Sequence, residues 1–423
     1  MSKVTTFKSM FSNCVSLESL NLSSFNTAKI ITMEKMFYYC RKLQNIVFDS
    51  FNTENVQDMQ SMFYKCTNLI SLDLTKFITS SLGNMMEMFS VCSSLQYINL
   101  SSFDTSKVTY MESTFNGCSS LKELDISNFD LSKVFVMTSI FRNCNSLENL
   151  QLPVFNIGST SFLHADFMFY ECNSLKSLNI TSLYTLPLHS TEKMFYNNRK
   201  LTSLILPKLN TYWVSSMSGM FYHCELLTSL DLSFKDTSWL DDTKEMFKGC
   251  YSLQFLRLSE FSTTKVKDMS SMFYDCRNLT SLDLRYFETD SLTNMDSMFY
   301  GCNSLSYLNV QSFNTKLVTK MSYTFSNCWN LTSLNLLSFD TNNVINMEHM
   351  FDNSFNLVNL NLSSFSTNQV TNMNNMFANC YNLISLDLSN FDSSKGRIDN
   401  MFTNSTKIEK IVSGDEKICE VKP

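Results

Sequence analysis

The chain repeats itself every 26 residues, and that period limits what it can fold into more than any other feature. The anchor is a Phe, usually preceded by Met and followed three residues later by Cys. Sixteen such anchors run from Phe11, Phe37 and Phe63 to Phe351, Phe377 and Phe402. The step is 26 throughout, except 28 between Phe141 and Phe169 and 25 between Phe377 and Phe402. A chain of 423 residues would otherwise suggest two or three globular domains. A periodic chain instead grows in one dimension, each unit contacting its neighbours.

One copy shows the internal pattern. Val266, Met269, Met272, Phe273 and Cys276 are followed by Leu279, Leu282, Leu284 and Phe287. The four from Met269 to Cys276 stand at i, i+3, i+4 and i+7, which predicts one apolar face of a short helix, with Thr263 or Thr264 as its N-cap. After Cys276 the period becomes two, so Leu282-Asp283-Leu284 predicts a strand with leucines inward and Ser281, Asp283 and Arg285 outward. The expected fold is therefore an α/β repeat solenoid. It is a leucine-rich-repeat-like stack of about sixteen coils, each a short strand plus a short helix, with one long parallel sheet. Neither element can bury its apolar side alone, so stacking must supply the core. A single solenoid is expected over 1–412, with 413–423 as a C-terminal tail or cap.

These residues also resemble a known family. Met88-Phe-Ser-Val-Cys-Ser-Ser-Leu, then Phe103-Asp-Thr-Ser-Lys-Val-Thr-Tyr-Met111, is similar to the repeats of BspA-like leucine-rich-repeat surface proteins. The resemblance covers essentially the whole chain. It implies a solenoid displayed at a cell surface or secreted, used for adhesion or for contacts with protein or glycan. No export signal, anchor or transmembrane stretch is visible in the sequence. A genuine start at Met1 would favour the alternative, an intracellular protein–protein interaction scaffold.

Composition narrows the function classes. Net charge is −6 with no basic run, so nucleic acid is not an expected partner, and no direct membrane insertion is expected. Gly (8) and Pro (4) are scarce, so Asn, Asp and Ser must make the turns. Thirteen of the 14 Cys share one repeat position, from Cys14 to Cys380, and Cys419 lies in the tail. Asn198, Ser354 and Ser405 replace Cys in the other copies, so a small buried residue is expected there, as a ladder of free thiols. No CxxC pair or Cys/His cluster suggests zinc. The 26 Met read as core filling. His164, His189, His223 and His349 fall at different repeat positions, none with a Ser, Cys or carboxylate set placed for catalysis, and are expected to be surface or structural residues. Asp73, Asp125, Asp231, Asp283 and Asp387 alternate with Asn21, Asn99, Asn179, Asn309, Asn335 and Asn361 along the strands, a solvated polar row with at most weak calcium affinity. No cofactor or metal is expected, and binding is favoured over catalysis.

Specificity must then lie where copies depart from consensus. Phe255, Arg257, Arg285, Tyr286 and Tyr307 bring aromatic and Arg side chains onto neighbouring strands of an otherwise Ser/Asn/Asp/Thr face, the composition of an interaction hot spot. Trp213 and Trp239 share a position in adjacent copies. Tyr38, Tyr64, Tyr170, Tyr196, Tyr222, Tyr274 and Tyr300 follow the anchor Phe and are expected to pack between neighbouring repeats. The pattern loosens over 153–210: two residues are inserted near 157–161, Pro153, Pro187 and Pro207 appear, and Leu183 and Leu209 replace Phe. A weakened seam is expected there.

Overall fold

The computed structural model describes residues 3–155, 163–181, 183, 187–232, 236–258 and 261–421. The insertion expected at 157–161 lies outside them. The chain forms two compact units, Met1–Asn210 and Thr211–Pro423, each carrying eight of the anchor phenylalanines. Each unit is a parallel β-solenoid. Three-residue strands recur once per coil, with an apolar centre between outward neighbours that is buried in most, as in Ser71–Asp73 and Ser281–Asp283, and half-buried in others, such as Phe255–Arg257. They pair in parallel with residues one repeat away: Ser281 with Tyr307, Leu282 with Leu308, Asp283 with Asn309. In place of one uninterrupted sheet, the hydrogen-bonded runs are mostly two-stranded, with one four-stranded run ending at Lys410–Val412.

The expected helix in each repeat does not form. The helix Glu416–Glu420, in the tail, is the one α-helix among the described residues. From Met269 to Cys276 the N–H groups of Met272, Tyr274 and Cys276 close tight turns onto the carbonyls of Met269, Ser271 and Phe273. Those of Met269, Ser271, Phe273 and Asp275 leave the coil instead and bond Asn294, Asp296, Met298 and Tyr300 in the next one, at 2.7–3.0 Å. A helix would send every N–H back along its own chain. Here every second N–H builds a ladder between coils, continued by one-residue parallel bridges such as Asp242–Asp268–Asn294. Turns repeating every four residues bring Met269, Phe273 and Cys276 inward just as a 3.6-residue helix would. That coincidence explains the wrong expectation.

These turns demand unusual backbone. Two residues per coil, four apart, lie in the left-handed region, such as Ser271 (φ 55°) and Asp275 (φ 58°). Glycine occupies only four of these places, Gly117, Gly219, Gly249 and Gly301, while Val91 holds φ 60° despite its branched side chain. Left-handed backbone costs an L-residue roughly 1–2 kcal/mol, so the intercoil ladder must over-determine the geometry at the rest. At Gly117 a Cβ would stand 3.3 Å from the Cα of Val91 in the preceding coil.

The core consists of ladders. Anchor rings stack coil on coil, as Phe247 on Phe273 at 5.5 Å and Phe273 on Phe299 at 5.6 Å. A second column, fourteen residues on, includes Phe261, Phe287, Phe313, Phe339 and Phe365 at 6.0–6.4 Å. In the seam, Leu183 and Leu209 take the phenylalanine place and stay fully buried, while Pro187 still bridges Asn210.

The threonines read as helix caps do other work. Thr263 is fully buried and its Oγ1 donates to the carbonyl of Glu288 at 2.9 Å. Thr289 does the same to Asn314 at 3.0 Å, and also accepts the N–H of Asn314 at 2.7 Å. One hydroxyl thus satisfies both backbone groups of a residue in the neighbouring coil. Corners are turned by Asx motifs: Asp283 accepts from Arg285 N–H, Asp340 from Asn342, and Asn294 from Asp296. Two or three such corners in most coils, as at Asn99 and Asp104 or at Asn335, Asp340 and Asn346, account for the scarcity of Gly and Pro. At the C-terminal end Asp415 caps the short helix, accepts the N–H of Ser393 at 2.6 Å, and lets Ile418 become fully buried.

Candidate functional site

The residues that dominate the repeat are accounted for by packing. Cys276, Cys302 and Cys328 are buried, and each Sγ donates to the carbonyl of an anchor Phe in the preceding coil at 3.2–3.3 Å. The replacements at this position keep the bond: Ser354 Oγ reaches Phe325 O and Asn198 Nδ2 reaches Phe169 O, both at 2.8 Å. The position therefore requires a small donor, a sharper demand than small size alone. Burial pushes the Cys118, Cys250 and Cys328 thiols up to about 12, which keeps them protonated and unreactive. Cys14 is exposed and Cys419 is half-buried.

The outward Asp/Asn row is also structural. Asn21, Asp73, Asn99, Asp125, Asn309 and Asp387 each accept, through Oδ1, the N–H two residues on at 2.9–3.2 Å. Asp and Asn alternate because either supplies that oxygen. Bonds from Ser127 and Ser389 hold the Asp125 and Asp387 carboxyls below the usual range, so they stay charged at neutral pH.

Of the departures from consensus, three converge directly. Phe255 and Arg257, on the strand Phe255–Arg257, and Tyr286, after the next strand, line an open depression of about 250 Å³. Its wall includes Ser281 and Asp283, and its rim is half open to solvent, with Phe255 59% and Tyr286 64% exposed. Arg285 is held beside it by Asp283, its Nε donating to Oδ2 at 2.7 Å, and that bond raises the guanidinium pKa. Tyr307 lies one coil further, in register with Ser281, and is 50% exposed. Arg257 approaches Asp231 at 3.6 Å. Two Asp–Arg pairs thus neutralise the patch and leave its aromatic surface as the dominant open feature.

The other columns are packed against their own neighbours. Tyr38 stacks on Tyr64 at 5.0 Å, Tyr170 on Tyr196 at 4.7 Å and Tyr274 on Tyr300 at 4.5 Å. Lys248 lies over Tyr222 and Tyr274. Trp213 stacks on Trp239 at 6.2 Å, and Lys265, at the same position one coil on, covers the Trp239 ring at 3.6 Å. His349 bonds Asp352 at 2.8 Å and stacks on Tyr323, a local polar network with no nucleophile on it among the described residues. His164 and His189 lie ring to ring at 4.6 Å, and His223 bonds Glu225. No group of three or more metal-ligating side chains occurs among the described residues, and no helix of the described chain is long and apolar enough to cross a membrane.

Among the exposed aromatics that the repeat pattern does not flag, such as Trp329 and Tyr381, Tyr97 is the most open. Tyr97 opens the strand Tyr97–Asn99 at the repeat position of Phe255 and is 59% exposed. Its strand neighbours Ser71 and Glu123 are not aromatic, so no cluster marks it in the sequence. Aligning all sixteen strands by their first residue would have found it.

Comparison with known proteins follows the same lines. The family model described as "Mycoplasma protein of unknown function, DUF285" matches residues 1–72, 69–181, 163–280, 217–327 and 293–414. No curated protein matches the chain. Among solved structures, it is similar to a leucine-rich repeat protein from Bacteroides ovatus, with 20% identity, 78% of this chain and 82% of that one covered, and a TM-score of 0.41. It is also similar to a leucine rich cell surface protein from Faecalibacterium prausnitzii, at 13% identity, with 94% and 83% covered and a TM-score of 0.32. A leucine-rich repeat protein from Leptospira interrogans matches at 15% identity, 84% and 91% coverage and a TM-score of 0.27.

Proposed function

The chain belongs to the DUF285 family, and from that premise we propose that it is a binding scaffold that engages a protein or glycan through its strand face. The observation that carries this reading is the depression at Phe255, Arg257 and Tyr286, with Arg285 and Tyr307 beside it. Elsewhere the outward strand positions carry mainly Ser, Asn and Asp, and several of these cap turns. Exposed aromatic area and Arg forks are what interfaces concentrate, because they offer large contact surface at low entropic cost. The His349 and His223 side chains described above are tied to structural partners, Asp352 and Glu225, which supports binding over catalysis. Adhesion at a cell surface is the biological setting that the BspA-like resemblance implies, and we adopt it as part of the proposal.

Aromatic rings flanked by Arg can stack on bases as well as on side chains. The expectation against nucleic acid, which rested on net charge, is therefore not carried forward. The test is a binding screen against extracellular-matrix proteins, glycans and single-stranded nucleic acid. It is followed by the Phe255→Ser, Arg257→Ser, Tyr307→Ser triple variant against whatever binds. Binding should be abolished while the melting temperature stays within about 2 °C, since exposed substitutions change stability little. Unaltered affinity would sink the patch.

A further inference from the structure

The depression at Phe255 has a counterpart in the other unit. Tyr97, Asn99, Glu123, Asp125 and Asn128 line an open depression of about 370 Å³. Each stands at the repeat position of one lining residue of the first: Phe255, Arg257, Ser281, Asp283 and Tyr286. The shape recurs because both lie between adjacent strands beside an outsized aromatic. The chemistry differs. Near Phe255 the carboxylates are answered by Arg, with Asp283 bound to Arg285 and Asp231 approached by Arg257. Near Tyr97, no Arg or Lys among the described residues pairs with a carboxylate. Glu123 accepts one bond, from Asn149 Nδ2 at 3.1 Å through Oε1, and Asp125 spends Oδ1 on the Ser127 N–H. Glu123 keeps its second oxygen unbonded, and Asp125, though bonded by both the N–H and the hydroxyl of Ser127, keeps its negative charge; beside them the exposed phenol ring of Tyr97 forms no ring or cation contact among the described residues.

From this geometry we infer a second binding site, in Met1–Asn210, for a basic side chain of a protein partner. Two carboxylates with no cationic partner attract a cation, and the Tyr97 face stacks a planar one, so a guanidinium fits better than an ammonium. The depression has room for one such side chain and the peptide backbone that carries it. This inference rests on the strand face being the binding face, as proposed above, but not on the Phe255 patch.

The repeat itself supplies substitutions that the fold already accepts. Ser71 and Ser177 occupy the place of both Tyr97 and Glu123, and Asn179 that of Asp125. Tyr97→Ser, Glu123→Ser and Asp125→Asn should therefore fold normally, which circular dichroism and the melting temperature check. The probe is a short acetylated Gly-Arg-Gly-Arg-Gly peptide, with its citrulline analogue as an uncharged isostere, measured by isothermal titration calorimetry in low salt. The arginine peptide should bind, the citrulline peptide should not, and Tyr97→Ser should weaken binding roughly two- to fivefold. Removing both carboxylates should weaken it more than about tenfold and abolish its salt dependence. Equal binding of the two peptides, binding unchanged in the variants, or no binding at all would overturn the inference. The Phe255, Arg257, Tyr307 triple variant should bind the arginine peptide normally. If it loses a screened partner while Tyr97→Ser changes nothing, the Phe255 reading stands and this one falls.

Discussion

Thr289→Val is the substitution that most directly tests how the coils are held together. Valine has nearly the shape of threonine, so packing is conserved and only the hydroxyl is lost. In the wild type that hydroxyl accepts the Asn314 N–H at 2.7 Å and donates to the Asn314 carbonyl at 3.0 Å. Thr289 itself is 1% exposed, so on that side nothing replaces it. Each unsatisfied buried group costs about 1–3 kcal/mol. The Asn314 residue is exposed on its outer side, so water can reach part of the pair, which places the expected loss at about 1–3 kcal/mol in total. Thr289→Ser keeps both bonds and forfeits one methyl, worth about 0.8 kcal/mol. The assay is urea unfolding followed by tryptophan fluorescence, all three Trp lying in the same unit as Thr289, comparing midpoints at constant slope. The order expected is wild type, then Ser, then Val. A Val variant as stable as wild type, or more stable than Ser, would show that the threonine column is held by its methyl and that the two-bond reading is wrong.

Other outcomes follow from the same ladders. Asn198 is buried with its Oδ1 unsatisfied among the described residues, so Asn198→Cys should raise stability by about 1 kcal/mol, read by thermal melting. Val91→Gly should relieve left-handed strain and stabilise by roughly 1 kcal/mol, while Gly117→Val should destabilise by more; equal melting points would refute this. Thiols ionise near pH 8.5 in an unfolded chain, whereas burial holds Cys118, Cys250 and Cys328 at about 12. The folded value is the raised one, so the stabilising difference is complete below about pH 8.5 and is lost progressively as pH rises towards 12. The melting temperature should fall over that window, and less steeply in a Cys250→Ser, Cys328→Ser double variant. Finally, all three Trp lie in Thr211–Pro423, whereas far-ultraviolet dichroism reports on the whole chain. A single solenoid over 1–412, which the unbroken step from Phe195 to Phe221 suggests, predicts coincident unfolding by both probes; separate transitions would count against it.

The inward half of the fold was legible because each core position repeats sixteen times, so Phe273, Cys276 and Leu282 declare themselves against a varying background. The path of the backbone between them was not. Spacing tells which side chains share a face, and a chain of four-residue turns shares faces almost as a helix does. The hydroxyl of Thr263 reads as a helix cap in the sequence, because a cap and a bond to the neighbouring coil ask for the same residue. The Asp/Asn row was seen as solvated, yet its caps depend on a bond that only coordinates reveal. For the candidate site, Phe255, Arg257 and Tyr286 could be grouped from the sequence because strand neighbours stand one repeat apart. That Arg285 and Arg257 are already answered by Asp283 and Asp231 could not.

The Asx corners carry a consequence for how such a chain can change. Asn99 and Asp125 close the same turn with the same oxygen, yet one is neutral and the other charged. A single exchange between them alters the electrostatic potential of one coil and leaves the backbone hydrogen bonds intact. The backbone bond that closes the Asn99 and Asp125 corners lies within one coil, so exchanges that keep this oxygen can accumulate along the chain. Surface charge is thereby uncoupled from folding stability, and a lineage under pressure to change partners could rewrite this face one coil at a time without passing through unfolded intermediates.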